Sequence, residues 1–577
     1  TDTAAIHILS GLLSDGASTT TAHQHPHHLP KQSLKQKPAL IPPPSQIALL
    51  ATLIVHPSFT SRPSEKSNLH AASYALSYLR GLLSTVGAVN ANFRAAFEFG
   101  NAKSGTIAHR RFHKHSSNAA TNTNTNTTST YPSSNDDDDN DDDESDAALT
   151  GPFARSQLLF RRAPDFWAVL GWCFRCAAEH PHARWPHWRL WLNLAVAVLE
   201  ADLDERLERD SETGTSRASR DCDNSASPYP ALDGSLVAGY LGQLVRERRN
   251  GLREVMRALF AFSDGEVNGA SDRALFTEVF ERETAVGRGA QSKRKREEGA
   301  AVDLENDQFG DYLDVEAEFD FFEDGEEQEE EGEGGGGGGG GGGKMPTPPA
   351  APSGRKRSGG KPKGEKPPSF VLTDAIAETV SFRLRIFRLL SAVCYYLPTA
   401  FVSVGKLYET FTNHVRALPL PMFRLFVESH PSHLPEFVQV SLLRMVAEEL
   451  LPPRRPDPAD VDPDNATAAG SNGVTALVMR ECFLPFAADR VTAEDNAKLS
   501  IVLESLLWFV YVQIGIDYSP ELHRAVEKGI KAREDRIKKS VRGKTNPGLA
   551  DKAARESLAR SARNLKTLVD VIAISGR

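Results

Sequence analysis

The sequence has few cysteines, and their arrangement fits neither a disulfide-rich protein nor a zinc site. Five cysteines in 577 residues are an odd number in a long chain, which is typical of free thiols in a reducing compartment. Cys173, Cys176 and His180 give the pattern C-x2-C-x3-H, but a structural zinc site needs four ligands and no second pair follows. We therefore predict that these cysteines belong to a hydrophobic core and that the protein holds no metal or other cofactor.

Catalytic signatures are also missing. The ten glycines at Gly334–Gly343 follow no strand pattern and precede no G-K-[ST] sequence, so they do not form a phosphate-binding loop. The nucleophile motif G-x-S-x-G does not occur. The sequence therefore predicts a protein that is not an enzyme.

Neither strands nor membrane spans are indicated. No stretch is convincing as a strand of alternating apolar and polar residues, and residues 1–13 lack the basic start of a secretory signal. The longest apolar run, 499–516, contains Glu504, and a central carboxylate is costly in lipid. We predict a buried core helix for this run and no contact with a membrane.

Helical periodicity is the dominant pattern of the sequence. Leu69, Leu76 and Leu83, for example, lie on one helical face, and similar spacing recurs in both halves. We predict an all-α fold of irregular helical hairpins, resembling an α-solenoid or a bundle, in two bodies separated by a disordered linker. The predicted order is a disordered tail at 1–44, a first helical body at 45–285 with a disordered insertion at about 101–150, the linker at 286–368, a second helical body at 369–520 and basic C-terminal helices at 521–577.

Tryptophan is concentrated in one part of the first body. Five of the six tryptophans lie between residues 164 and 208, where the spacing predicts a helical hairpin. Such a hairpin either forms the centre of a core or displays an aromatic surface to a partner. We favour the core.

The predicted linker is divided into blocks of charge. It begins with a basic cluster, passes into the acidic segment 297–333 with 18 Asp or Glu and no Lys or Arg, and ends in a Pro-rich basic stretch. Two basic clusters resemble nuclear localisation signals. Their residues are Lys293, Arg294, Lys295, Arg296, Arg355, Lys356 and Arg357. We predict from them that the protein is nuclear.

Apolar side chains are interleaved with the carboxylates of the acidic segment. Carboxylates keep such a segment soluble, while aromatic side chains can dock into a groove on a partner. A purely solvating acidic spacer is the alternative. The docking candidates are Phe309, Tyr312, Leu313, Phe319, Phe321 and Phe322.

The C-terminal part is basic, since residues 521–577 contain 15 Lys or Arg against 7 Asp or Glu. The candidate nucleic-acid contacts are Lys528, Lys531, Arg533, Arg536, Lys538, Lys539 and Arg542. Our first hypothesis is a non-enzymatic nuclear scaffold or adaptor that binds protein partners in a chromatin- or DNA-associated complex. The second is a protein that binds nucleic acid directly through these helices, and the third is an enzyme of unrecognised type. The sequence does not indicate an oligomeric state.

Overall fold

The structure of the protein is a computed structural model. It describes residues 2–16, 40–63, 65–100, 152–217, 229–247, 250–262, 276–281, 283–284, 370–428, 433–464, 473–541 and 549–575. All regular secondary structure in these ranges is helical, without a β-strand, so the prediction of an all-α fold is confirmed. The predicted insertion at about 101–150 and the predicted linker at 286–368 lie outside the described residues.

The described part of the N-terminal half consists of helices of very different length. The described helices are α1 (Asp2–Gly16), α2 (Pro44–Leu53), α3 (Lys66–Val86), α4 (Phe93–Ala96), α5 (Leu159–Arg162), α6 (Phe166–Glu179), α7 (Trp185–Arg217), α8 (Pro230–Asp233), α9 (Leu236–Glu247) and α10 (Gly251–Leu259). Short 3-10 turns occur at Pro57–Phe59 and Pro152–Ala154.

The C-terminal half continues the helical pattern. Its described helices are α11 (Asp374–Tyr396), α12 (Val404–Ala417), α13 (Leu420–Val427), α14 (Glu436–Leu450), α15 (Pro458–Val461), α16 (Ala476–Val478), α17 (Ala493–Phe509), α18 (Pro520–Val541) and α19 (Leu549–Ser575). π-Helical turns follow α16 at Met479–Phe483 and α17 at Val510–Ile514.

Helix α1 corrects the prediction of a disordered tail over 1–44. Residues 2–16 form this helix, and Ile6 and Leu13 are buried. Their side chains lie on one face because they are seven residues apart, which is two helical turns. The helix packs on α3, whose apolar stripe gives the short N-terminal segment a surface on which to fold.

Side-chain caps begin several of the helices, α11 and α17 among them. The Thr373 hydroxyl accepts a hydrogen bond from the backbone N–H of Ile376 at 3.3 Å and starts α11. The Thr492 hydroxyl accepts one from the N–H of Asp495 at 3.0 Å and starts α17. These contacts satisfy backbone donors that have no partner within the helix.

The tryptophan-rich hairpin is formed by α6 and the start of α7, and it is a core element. Trp188 and Trp191 are at most 1% exposed and their rings meet edge to face at 5.8 Å. The buried tryptophans of this hairpin are Trp167, Trp172, Trp185, Trp188 and Trp191. The prediction of a core rather than a displayed aromatic surface is confirmed.

Helix α17 is the centre of the C-terminal half. Most of its side chains are buried, including Leu499, Leu503 and Leu507, and it contacts α13, α14 and α19. This agrees with the predicted core helix at 499–516. Within the described residues, no helix is both long enough and apolar enough to cross a membrane.

Helix α11 joins the two helical bodies by packing on α6 and α7. Arg383 of α11 is 1% exposed and donates hydrogen bonds to the carbonyl oxygens of Leu259 and Ala261, just after α10 ends. Its guanidinium also lies over the rings of Phe174 and Phe262, at 3.9 and 4.4 Å from their centroids. Because the last carbonyls of a helix lack partners within it, this buried arginine of α11 caps the end of α10 and adds to the contact between the two bodies.

Candidate functional site

An open groove lies between α17 and α19, with the C-terminal end of α13 at one side, and has a volume of about 690 Å³. We call it the Trp508 groove. Its lining residues are Arg424, Glu428, Glu504, Ser505, Trp508, Asn564, Thr567, Leu568 and Val571.

The two helices that form the walls run in the same direction. Asn564 Nδ2 donates to Glu504 Oε1 at 2.7 Å, and further along the hydroxyls of Tyr511 and Ser575 are 3.0 Å apart. Residue numbers therefore rise together on both sides.

Apolar side chains are exposed along the groove. Trp508 is 46% exposed and Val571 39% exposed, although the faces of the same helices that point inward are buried. Just beyond the lining residues, Val512 and Ile574 are 51% and 74% exposed. Neighbouring exposed apolar residues on two helices form a patch, whereas isolated ones are ordinary on protein surfaces.

Charged groups occupy one end of the groove. Arg424 Nε donates to Glu428 Oε2 at 2.6 Å, which raises the pKa of Arg424. Burial raises the pKa of Glu504, and the hydrogen bond from Asn564 opposes that shift. Among the lining residues, two carboxylates therefore face one guanidinium.

A second site is formed where a short irregular segment crosses the first body. This segment, residues 276–284, is described except for residue 282, and we call it the strap. Phe276 packs so closely on Gly171 that a Cβ atom there would clash with the ring. Phe280 is 2% exposed, and its ring centroid lies 4.7 Å from that of His56.

Arginines of the first body hold the strap through its backbone. Arg175 Nη1 donates to the carbonyl oxygen of Phe276 at 2.5 Å. Arg162 Nε donates to the carbonyl oxygen of Val279 at 2.9 Å. Because the strap makes no helix of its own, these side chains satisfy carbonyls that burial would otherwise leave unpartnered.

The strap ends in a buried ion pair between Glu283 and Arg184. Both side chains are fully buried, and Arg184 Nη2 is 2.6 Å from Glu283 Oε1. Trp188 Nε1 donates to the same oxygen at 2.5 Å, and the backbone N–H of Phe280 donates to Oε2 at 3.2 Å. Arg184 Nη2 also donates to the carbonyl oxygen of Val55 at 2.6 Å.

The cysteines of the C-x2-C-x3-H pattern lie in the core of α6. Cys173 and Cys176 are buried, and burial raises the pKa of both thiols well above the ordinary value. Among the residues that the structure describes, no group of three or more His, Cys, Asp or Glu side chains is placed to hold a metal ion. The thiols therefore pack as small apolar groups.

Two of the predicted nucleic-acid contacts are used within the fold. Arg533 is completely buried and donates to the carbonyl oxygens of Leu484 and Phe486, at 3.4 and 3.0 Å. The prediction that Arg533 contacts nucleic acid is corrected, because α18 packs this residue onto the turn that follows the π-helical turn. Arg536 Nη2 donates to the carbonyl oxygen of Asp489 at 2.6 Å.

The other basic candidates lie on a surface of mixed charge. Those on the exposed face of α18 are Lys528, Lys531, Lys538 and Lys539. Lys538 Nζ is 3.8 Å from Glu534 and 3.5 Å from Asp535, and Glu527 is exposed one turn before Lys531. Arg542 lies outside the described residues. The structure therefore does not gather the predicted residues into a uniformly basic surface.

The remaining predicted sites all fall within the linker. The two basic clusters at 293–296 and 355–357 lie outside the described residues, and so do the docking candidates between Phe309 and Phe322. They stay predictions from the sequence.

No pattern in the sequence predicts the Trp508 groove or the strap directly. Trp508 and Val512 are one helical turn apart within an apolar run, and this spacing is the signal that could have indicated an exposed apolar face. Phe276 and Phe280 are recognisable as apolar residues that close the first body, but Glu283 follows them without any pattern that predicts burial.

Comparison with known proteins does not add a relative from which a role could be transferred. No protein-family model matches the chain, and a search of curated proteins finds no similar sequence.

Proposed function

We propose that the protein is a non-enzymatic helical scaffold or adaptor that resides in the nucleus and binds protein partners in a chromatin- or DNA-associated complex. The observation that carries this proposal is the exposed apolar surface of the Trp508 groove. Tryptophan is enriched among the residues that dominate binding energy in protein interfaces. A contiguous exposed apolar patch on a folded protein typically marks an interaction site.

The occupant that fits the Trp508 groove is the apolar face of a helix from a partner protein. Trp508 and Val512 stand four residues apart on one wall, and Val571 and Ile574 stand three apart on the other. An amphipathic helix presents anchors at this same spacing. Because the lining has one more carboxylate than guanidinium, the partner helix carries a Lys or Arg toward Glu428 and Glu504.

The test is a comparison of partners recovered from the native host by affinity purification and quantitative mass spectrometry. The variant W508A/I574A removes the two largest exposed side chains of the patch. The control is Y395A, because Tyr395 is 69% exposed on α11 and does not line the groove. We expect specific partners to be lost from the double variant and retained by the control.

Direct binding then identifies the occupant. A purified partner that depends on Trp508 is expected to bind the double variant at least about tenfold more weakly, as for a central interface tryptophan. Equal recovery of all partners by both variants contradicts the proposal. Light scattering tests one further outcome. If the wild-type protein is a dimer and the W508A/I574A variant is a monomer, the occupant of the Trp508 groove is a second copy of the chain.

The nuclear assignment rests on the two basic clusters and has its own test. Replacing the basic residues at 293–296 and 355–357 with alanine in a fluorescent fusion of the full chain is expected to abolish nuclear accumulation. The control replaces Lys528 and Lys531 with alanine, which removes basic residues that lie outside the two clusters. Unchanged nuclear signal in the cluster variant contradicts the assignment.

A further inference from the structure

The strap has the contacts of a bound peptide. It is an irregular segment laid across a helical body, and two arginines of that body, Arg162 and Arg175, bind its backbone carbonyls. Its side-chain anchors are Phe276, Phe280 and Glu283, which follow the pattern F-x3-F-x2-E. Extended and irregular peptides are recognised in this way, with main-chain hydrogen bonds for affinity and side-chain pockets for specificity.

The receptor for the carboxylate is fixed independently of the strap. Arg184 also donates to the Val55 carbonyl oxygen at 2.6 Å, to Thr60 Oγ1 at 3.0 Å and to Ser61 Oγ at 3.1 Å. These three contacts of the guanidinium all lie in the segment that follows α2, and they do not depend on Glu283. A buried arginine held in this manner is a preorganised receptor for a carboxylate.

The aromatic anchor Phe280 also packs on side chains of the first body. Phe280 meets His56 at 4.7 Å between centroids, and the ring of Phe153 also lies 4.9 Å from that of His56. A cavity of about 410 Å³ opens beside these rings and is also lined by Ser58, Arg62 and Gln157. The groove thus has room beside Phe280 that the strap does not fill.

We propose that the strap occupies a peptide-binding groove of the first body, and that this groove recognises the motif F-x3-F-x2-E in a partner protein. The partner segment replaces the strap, placing its carboxylate on Arg184 and its second aromatic ring against His56. The strap then acts as the resident competitor for the same groove. This site is separate from the Trp508 groove and does not depend on the function proposed for it.

The test uses the full chain and a fluorescein-labelled peptide of residues 273–287. The chain carries F276A/F280A/E283Q, which removes the anchors of the strap, and fluorescence anisotropy measures peptide binding. We expect this variant to bind the peptide at least about tenfold more tightly than the wild-type chain, in which the covalently attached strap competes. The variant W508A is expected to leave peptide binding unchanged, which separates this proposal from the function proposed for the Trp508 groove.

Two matched peptides test the recognition of the carboxylate. An E283Q peptide is expected to bind at least about tenfold more weakly, because it leaves Arg184 buried without a carboxylate. An E281Q peptide is expected to bind within about threefold of the unaltered peptide, because the Glu281 side chain is 71% exposed and its ion pair with Arg162, at 3.8 Å, is an exposed one of the kind that contributes little. Equal affinity of these two peptides, or no binding by a strap variant whose circular dichroism is that of the wild type, overturns the proposal.

If the strap variant does not fold, a form of the chain that can be cleaved on both sides of the strap provides the test. Protease sites inserted at 263–275 and 285–292 leave the native strap in place until cleavage, after which excess labelled peptide is added. Exchange of the strap for the peptide with unchanged helical signal supports the proposal. Loss of helical signal that the peptide does not restore shows that the strap is a core element, and overturns it.

Discussion

Replacing Arg383 with alanine tests the claim that this one buried side chain makes a large contribution to the contact between the two helical bodies. Arg383 is 1% exposed, and burial lowers its pKa well below the ordinary value. The variant leaves the carbonyl oxygens of Leu259 and Ala261 without their donors and removes a cation from between Phe174 and Phe262.

The magnitude follows from these contacts. An unpartnered buried carbonyl costs about 1–3 kcal/mol, and a cation between desolvated rings contributes about 2 kcal/mol. Relief of the desolvated charge offsets part of the loss, since a buried ion is penalised by several kcal/mol. We expect R383A to lower the free energy of unfolding by about 3 kcal/mol.

Urea denaturation followed by two signals measures the effect. Five of the six tryptophans lie in the first body, so fluorescence reports that body while far-ultraviolet circular dichroism reports both. The two transitions are expected to coincide in the wild type and to separate in R383A. The control is R388A on the same helix, whose partner Asp204 is 3.9 Å away and which is 40% exposed; it should change the free energy of unfolding by less than about 1 kcal/mol. Equal midpoints for R383A and R388A refute the reasoning.

Three further predictions concern single groups. Iodoacetamide should leave Cys173 and Cys176 unmodified in the folded chain at pH 8 and label both in urea, because burial raises their thiol pKa; rapid labelling without urea contradicts their placement. Burial lowers the pKa of His56 from 6.5 to about 4, so the folded state binds fewer protons than the unfolded state between these values. The free energy of unfolding should therefore fall as pH drops from 6.5 toward 4, and it should fall less steeply in H56Q. The same dependence on pH in H56Q and the wild type would contradict this role of His56. Charge reversal at Lys528 and Lys531 should change the affinity for single-stranded DNA by less than about twofold, because carboxylates interleave with these lysines on α18. A tenfold loss of affinity would instead support the hypothesis of direct nucleic-acid binding.

Local patterns in the sequence were sufficient for the fold class and for the core helix at 499–516. Helical spacing is a local property, because residues on one face are three or four positions apart in the sequence. The tryptophan-rich hairpin was recognisable for the same reason, since its spacing reveals a buried face. The prediction failed at residues 2–16, because a short amphipathic helix becomes stable only when it finds a surface such as that of α3.

The sites could not be predicted from the sequence, because they are formed by contacts between residues that are far apart along the chain. The ion pair between Arg184 and Glu283 joins residues 99 positions apart, and no spacing rule connects them. Arg533 was expected on a basic surface because its neighbours are basic, whereas the fold uses it to cap carbonyls 47 and 49 positions earlier. Likewise, exposure of Trp508 depends on where α19 packs, and α19 follows it by about forty residues.

The most direct test of the Trp508 groove is hydrogen–deuterium exchange of the full chain with and without a purified partner whose recovery depends on Trp508. Bound partner should slow exchange in two segments, 504–514 and 564–575, which form the walls of the groove. Protection that appears instead on α18 around Lys528 and Lys531, with none at these two segments, contradicts the account of this protein as a scaffold that binds a partner helix between α17 and α19.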